Sequence, residues 1–288
     1  MPPADPEPPT PAEAFSTLGN EHRISILLAL LEQLRKRKEY PTSFSTLRRE
    51  AEIEDSGKFN YHLDALSGHF LRQTDDGYEF RYAGWAIVTA ILAGTYTDRG
   101  EFGPADIEGA CPHCGTDALL ATYREEWLSI ECDDCGERLT RYTFPPGGVT
   151  DRPLSEAIDA FDSHVRSHIR LARDGVCPGC RGAMEPTREG EEIPEDRPLA
   201  CVCTRCGNRL YPPPGLLAIA DPDVRAFCRE HGLGVEGRFW ELAVVAADPP
   251  VREIDVGWFA IDVEGDGETL RVAFDDDLTV RSTERRPA

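Results

Sequence analysis

Apolar positions recur at helical spacing through the first third of the chain. Thr10-Pro11-Ala12-Glu13 forms a capping box with Pro at the first helical position, which opens a short helix toward Leu18. Gly19-Asn20 breaks that helix and caps a second, where Ile24, Leu27, Leu28, Leu31 and Leu34 follow the helical period. The basic cluster Arg35-Lys36-Arg37-Lys38 complements the dipole at its end, and Pro41 enforces the stop. A third helix is predicted around Phe44 to Ala51, with Phe44 and Leu47 inward and Arg48 and Arg49 outward. A fourth begins after Asp55-Ser56, with Phe59, Leu63 and Leu66 as its apolar stripe. Phe70 to Thr74, the turn Asp75-Asp76-Gly77 and Tyr78 to Tyr82 then read as a hairpin. A final apolar helix, Trp85 to Leu92, has Ile87/Ile91 and Val88/Leu92 at i,i+4 and is placed to pack across a partner.

Beyond residue 97 the pattern changes. Residues 98–109 read as a polar, Gly-containing linker, Ala118 to Ile130 as strand, and Pro153 to Arg173 as an amphipathic helix carrying Ile158, Phe161, Val165 and Ile169. A helix is predicted from Asp223 to His231. Strands follow at Phe239 to Ala246, Val251 to Val263, Thr269 to Phe274 and Leu278 to Ser282, with turns at Asp248-Pro249-Pro250, Glu264-Gly265-Asp266-Gly267 and Asp275-Asp276-Asp277. The Asp triplet lacks the spacing of an EF-hand loop and reads as a solvated turn.

The cysteines add chemistry to this framework. Cys111-Pro-His-Cys114 with Cys132-Asp-Asp-Cys135, and Cys177-Pro-Gly-Cys180 with Cys203-Thr-Arg-Cys206, are two copies of one arrangement. Each closing pair continues into Cys-Gly-x-Arg-Leu and then Pro-Pro-Gly. Paired CxxC motifs at this separation predict two zinc ribbons, each holding one structural Zn2+ on four thiolates. Trp127 and Ile130 are placed to cover the first metal. His113, inside the first knuckle, is expected to be second to the four Cys. Cys201 also offers a thiolate, but alignment of the copies favours Cys203 and leaves Cys201 spare; Cys228 is expected to be a core residue. His164 and His168 lie at i,i+4 without the Glu of an HExxH motif and read as a solvated or partner-facing pair.

The fold class is therefore α+β: a helical amino-terminal unit over 12–96 after a disordered 1–11, ribbons over 110–148 and 175–216, a connecting helix over 152–174, and a helix plus β-meander over 217–284. Net charge is −21 from 31 basic and 52 acidic residues, with three Lys in 288 residues. Residues 15–94 carry ten basic and eleven acidic side chains, so nearly all the excess lies elsewhere. That near-neutral island is the expected contact for a polyanion. No apolar run suits a membrane span, the start MPPADPEPPT lacks the marks of a signal peptide, and eight Cys in CxxC pairs suit a reducing compartment; a cytoplasmic location is expected.

Helix, helix, helix, hairpin is winged-helix order. Leu18-Gly19-Asn20-Glu21-His22-Arg23-Ile24-Ser25-Ile26-Leu27 resembles the opening of ArsR-type winged-helix repressors, and Ser56-Gly57-Lys58-Phe59-Asn60-Tyr61-His62-Leu63 resembles their recognition helix. The resemblance covers roughly 12–95. With the ribbons and the Lys-poor acidic composition, the whole chain is similar to haloarchaeal ArsR-like regulators. It implies a homodimer formed through the first and last helices of the winged-helix unit, reading a palindromic duplex DNA operator. Ser56, Lys58, Asn60, Tyr61 and His62 are expected to face the groove and Arg72 and Arg81 of the wing the phosphates, with Arg48 and Arg49, outward on the third helix, as further expected DNA contacts. The third helix has no Cys, so the metal-sensing Cys pair of those repressors is missing and arsenite or cadmium control is not implied. The alternative is a scaffold or basal-transcription adaptor acting through protein contacts. The ribbons are expected to face proteins or solvent. No phosphate loop, nucleophile elbow or HExxH is present, so an enzyme is not expected.

Overall fold

The computed structural model describes residues 9–36, 38–188, 198–255 and 258–288 and divides into two compact units, Met1–Asp98 and Arg99–Ala288. Residues 1–8, Arg37 of the basic cluster, 189–197, and 256–257 of the expected strand Val251 to Val263 lie outside the described residues. No helix among the described residues is long and apolar enough to cross a membrane.

The first unit contains α1 (Pro11–Leu18), α2 (Glu21–Arg35), α3 (Phe44–Glu50), α4 (Ser56–Leu66), a hairpin of β1 (Leu71–Thr74) and β2 (Gly77–Phe80), and α5 (Tyr82–Leu92). Its helix starts are set by side chains. The Thr10/Glu13 capping box closes reciprocally, Asn20 accepts from the N–H groups of His22 and Arg23, Ser43 from Thr46, and Asp55 from Lys58. Ile26, Leu27, Leu30, Leu47, Phe59, Leu63, Leu71 and Val88 fill the core, and Phe44 meets Phe59 edge-on at 4.9 Å. Each fully buried aliphatic side chain contributes about 1.5–3 kcal/mol. Gly84 lets α5 approach the hairpin: a Cβ there would lie 2.2 Å from the Phe70 carbonyl oxygen. Two features depart from the sequence reading. The second strand stops at Phe80 and Tyr82 opens α5, because Arg81 N–H bonds back to Phe70 O and Trp85 N–H already reaches Arg81 O. Val88 is buried within its own unit, so it does not face a partner. A third chain segment joins the hairpin: Thr42 exchanges two backbone hydrogen bonds with Tyr78, at 3.0 and 2.8 Å.

The second unit opens with β3 (Phe102–Asp106), β4 (Leu119–Arg124), β5 (Trp127–Cys132) and β6 (Arg138–Thr143), followed by α6 (Gly147–Thr150) and α7 (Leu154–Arg173). A second, smaller sheet has β7 (Met184–Thr187), β8 (Ala200–Cys203) and β9 (Arg209–Leu210), followed by α8 (Pro214–Ala218) and α9 (Pro222–Glu230). A 3-10 turn (Phe239–Glu241), α10 (Ala243–Ala246) and the meander of β10 (Arg252–Asp255), β11 (Trp258–Glu264), β12 (Glu268–Phe274) and β13 (Val280–Pro287) complete it. Among the described residues every sheet is antiparallel and ordered as the strands occur in the chain.

Several expectations are corrected here. The presumed linker 98–109 contains β3, which pairs with β4. The stretch 118–130 is two strands, reversed at Glu125 and Glu126, whose φ values are +50° and +60°. Residues 239–246 are helical rather than extended. Glu241 accepts from Arg238 N–H at 2.9 Å and tightens the first turn, while Trp240, Leu242 and Val244 are buried at alternate positions, the period of a strand, with Leu242 extended between the two short helical turns. The expected single strand 251–263 contains two strands instead, β10 and the start of β11, paired antiparallel. Asp275 is buried, accepts from the N–H groups of Asp277 and Thr279, and pairs with Arg281, so the Asp triplet is not a freely solvated turn.

One apolar core runs through this unit. Leu128 and Ile130 of the first sheet, Ile158, Phe161 and Val165 of α7, Cys201 and Leu210 of the second sheet, Trp240, and Ile261 and Val272 of the meander belong to it. The segments 110–148, 152–174, 175–216 and 217–284 are therefore parts of one packed body. Arg238 pins its C-terminal part to α7, donating to Asp159 at 3.0 Å and to the Glu108 carbonyl at 2.9 Å, while Phe239 N–H donates to Asp162 at 2.7 Å.

Candidate metal centres and nucleic-acid interface

Each CxxC pair ends in the same backbone turn. The N–H four residues after its first Cys donates to that Cys carbonyl: Gly115 to Cys111, Gly136 to Cys132, Arg181 to Cys177 and Gly207 to Cys203, at 2.8–3.0 Å. The first Cys N–H in turn donates to the carbonyl five residues on, namely Thr116, Glu137, Gly182 or Asn208. This geometry needs a left-handed residue after the second Cys, and φ there is +77°, +75°, +61° and +72° in chain order.

The two pairs of each copy converge. Sγ–Sγ separations are 3.8 Å for Cys111–Cys135, 3.6 Å for Cys114–Cys132, 3.8 Å for Cys177–Cys206 and 3.5 Å for Cys180–Cys203, and within each set all ligand atoms lie within 4.8 Å of one another. A tetrahedral ion with Zn–S near 2.3 Å requires Sγ–Sγ separations of about 3.8 Å. The donor sets therefore fit two zinc ions. Amide donors support the sulfurs: Cys180 N–H to Cys177, Gly182 N–H to Cys180, Cys206 N–H to Cys203, and Asn208 Nδ2 to Cys177. The backbone N–H of Cys135 holds the Cys132 thiol down, to about 6, which favours the thiolate a metal needs.

Cys203 completes the second set. Cys201, two residues earlier on the same face of β8, is fully buried in the core, and burial pushes its thiol up to about 11. Cys228 is buried on α9, and His113 is exposed outside the first set. Trp127 does not cover the first metal: it lies at the far end of β5, 39% exposed and under the Arg141 guanidinium, while Leu119, Ile107, Ala118 and Leu139 pack around Cys111 and Cys132. Ile130 belongs to the larger core.

His164 and His168 are also not a solvated pair. Their rings lie 3.9 Å apart against Tyr142 and Phe144, and the Tyr142 hydroxyl is 3.0 Å from His168 Nδ1. Burial pushes His164 down, and it pushes His168 to about 4, with His164 and Arg181 adding repulsion. Between about pH 6.5 and pH 4 the unfolded chain takes up a proton at residue 168 that the folded chain refuses, so stability falls as pH falls through that window. Thermal unfolding should show the wild-type midpoint dropping more steeply there than that of His168→Gln. Equal slopes would assign the pH dependence to other groups.

In the first unit α4 presents Ser56, Lys58, Asn60 and Tyr61 to solvent, Tyr61 at 65% exposure. Asn60 donates to Asp64 at 2.8 Å. His62 is 6% exposed, with its ring 5.1 Å from that of His22 on α2, so it supports α4 from beneath and is not available to a groove. Burial, with the positive charge of His22, Arg23 and Lys58, holds its imidazole below the ordinary range. Arg49 is exposed and pairs with Glu50, Arg48 donates to the Glu54 carbonyl, Arg72 pairs with Glu79 at 2.5 Å, and Arg81 donates to the Gly68 carbonyl. Gln73, exposed on β1 beside Arg72, was not singled out by the sequence pattern, in which a lone Gln in a wing carries no signal.

A unit of four-cysteine sheets and a helix-rich unit with a hairpin thus define the molecule. Residues 108–280 match the family described as Domain of unknown function (DUF7351), and because the match spans more than half of the chain, the chain belongs to that family. Residues 11–91 match a second family, Domain of unknown function (DUF7347). The two matches fall within the two compact units. No curated protein and no solved structure matches the chain significantly.

Proposed function

We propose that the chain is a sequence-specific DNA-binding transcriptional regulator, with residues 11–92 a winged helix and residues 99–288 a body stapled by two structural zinc ions. The observation that carries this reading is α4: an Asp-capped helix whose first turns expose Ser56, Lys58, Asn60 and Tyr61, followed directly by a hairpin. The Thr42–Tyr78 bridge adds the short third strand that a wing of this type rests on. Near-neutral charge over 15–94 inside a chain of −21 supports it further. In the high salt that so acidic a chain suits, counterion release is weak, and base contacts carry more of the affinity. Phe15, Tyr82, Trp85 and Leu92, exposed on α1 and α5, support self-association into a dimer. Four thiolates saturate a tetrahedral zinc, so neither centre leaves a position for catalytic water.

The test is selection from random duplexes in molar KCl, which should enrich a two-fold symmetric site. Asn60→Ala should then flatten preference at one or two base positions, with a loss on the preferred site of about 1–3 kcal/mol, the value of a bidentate Asn–adenine contact. An unchanged preference refutes the assignment of α4. The engagement of Arg72 with Glu79 and of Arg81 with a carbonyl favours a second reading, a protein adaptor, in which no site is enriched.

A further inference from the structure

The two cysteine sets share one backbone geometry, yet the groups around their sulfurs differ position by position. Asn208 donates from its side-chain amide to Cys177 Sγ at 3.8 Å; the same place after the closing pair of the first copy holds Glu137, a carboxylate that cannot donate. Inside the closing pair the first copy carries Asp133-Asp134 and the second Thr204-Arg205. After the opening pair the first copy has Gly115, whereas the second has Arg181, whose guanidinium is fixed on its own knuckle by the carbonyls of Cys177 and Pro178. Thr116 is the side-chain donor of the first copy, its hydroxyl 3.1 Å from Cys114 Sγ and 3.8 Å from Cys132 Sγ.

Four thiolates on a divalent ion form a negatively charged centre. Amide donors and positive charge spread that excess and damp the nucleophilicity of the sulfurs, while carboxylates on the same loops concentrate it. Access and anchorage point the same way. Cys114 and Cys135 are both exposed, whereas in the second set Cys206 is exposed and Cys180 only partly so. Cys177 and Cys203 are built into the large core, but Cys111 and Cys132 share a small cluster with Leu119. Each exposed sulfur of the first set has a buried sulfur across the knuckles, Cys111 at 3.8 Å from Cys135 and Cys132 at 3.6 Å from Cys114.

We propose that the first cysteine set is an oxidant-responsive zinc centre, in which hydrogen peroxide converts an exposed thiolate and its buried partner into a disulfide, while the second set keeps its ion. It rests on the reading of both sets as zinc centres. The exposed thiolate attacks the O–O bond of the peroxide, giving a sulfenic acid and hydroxide; the partner thiolate then attacks that sulfur and expels a second hydroxide. Two thiolates lose two electrons and one peroxide gains them. With two of its four ligands tied into a disulfide, the set releases its ion. The consequence is local: the cysteine end of the first sheet loosens and the large core stays packed.

The test uses the full-length protein with zinc bound. Its metal is counted first, and fewer than two ions per chain refutes the zinc reading and the proposal with it. Excess hydrogen peroxide is then added beside a zinc-sensitive dye. Wild type should release one ion in a fast phase and the other much later, and peptide mapping after the fast phase should find a disulfide within the first set, with Cys177, Cys180, Cys203 and Cys206 still reduced. The variant Asp134→Arg/Glu137→Asn installs the residues that the second copy carries at Arg205 and Asn208. It should still hold two ions and slow the fast phase about tenfold, the lower end of what groups outside the ligand set contribute at metal sites. The converse change, Asn208→Glu, should hasten loss of the second ion, which decides the matter if the first variant folds poorly. Equal release rates for the two ions, earlier oxidation of the second set, or release rates that neither exchange alters overturns the proposal.

Discussion

Replacing Cys203 by Ser should release one of two zinc ions per chain and unfold residues 99–288 as a whole, whereas Cys132→Ser should release one ion and loosen only the first sheet's cysteine end. The difference follows from where each centre sits. Cys177 and Cys203 belong to the large core, alongside Cys201, Phe161 and Leu210. Cys111 and Cys132 form a separate small cluster with Leu119. A structural zinc contributes on the order of 10 kcal/mol to the fold that holds it, comparable with the entire 5–15 kcal/mol stability of a domain. Loss of the second ion therefore removes a support the shared core cannot replace. Native mass spectrometry of the wild type should count two zinc ions, and a count of zero or one would refute the paired sites. Circular dichroism on the two variants then reads the asymmetry: equal loss of structure would show that the two centres are equivalent supports.

What the sequence revealed and what it hid divide along physical lines. Features written by local chemistry were legible: the Thr10/Glu13 capping box, the Asn20 and Asp55 caps, and both cysteine sets, since four thiolates in register leave few other arrangements. Features written by long-range pairing were not. Thr42 looks like loop until Tyr78 is seen opposite it, and residues 102–106 look like linker until they add an edge to β4. The reversal at Glu125-Glu126 was hidden because two Glu in left-handed conformation carry none of the Gly or Asn signal of a two-residue turn. Burial of His62 was legible and was overlooked: it stands three residues after Phe59 and four before Leu66, on the stripe that packs against the core.

Phe161→Ala should lower the thermal midpoint of residues 99–288 by roughly 6–20 °C, from a cost of about 3–5 kcal/mol and about 2–4 °C per kcal/mol for a unit of this size. Phe161 is fully buried on α7, edge-on to Phe144 at 5.6 Å and 6.0 Å from Trp240, so it joins the end of the first sheet to the C-terminal part. The same core reaches Leu210 of the second sheet and Val272 of the meander. Aromatic rings on two sides, Phe144 and Trp240, leave little freedom for the hole to collapse, which places the cost toward the upper end of that range. Because the core is shared, the unit should still melt in one step, with the second centre's ion leaving at the lowered midpoint. Melting followed by a zinc-sensitive dye reads this directly. Loss of the second ion at the wild-type temperature, while the helices melt early, would mean that the second cysteine sheet holds itself together without α7.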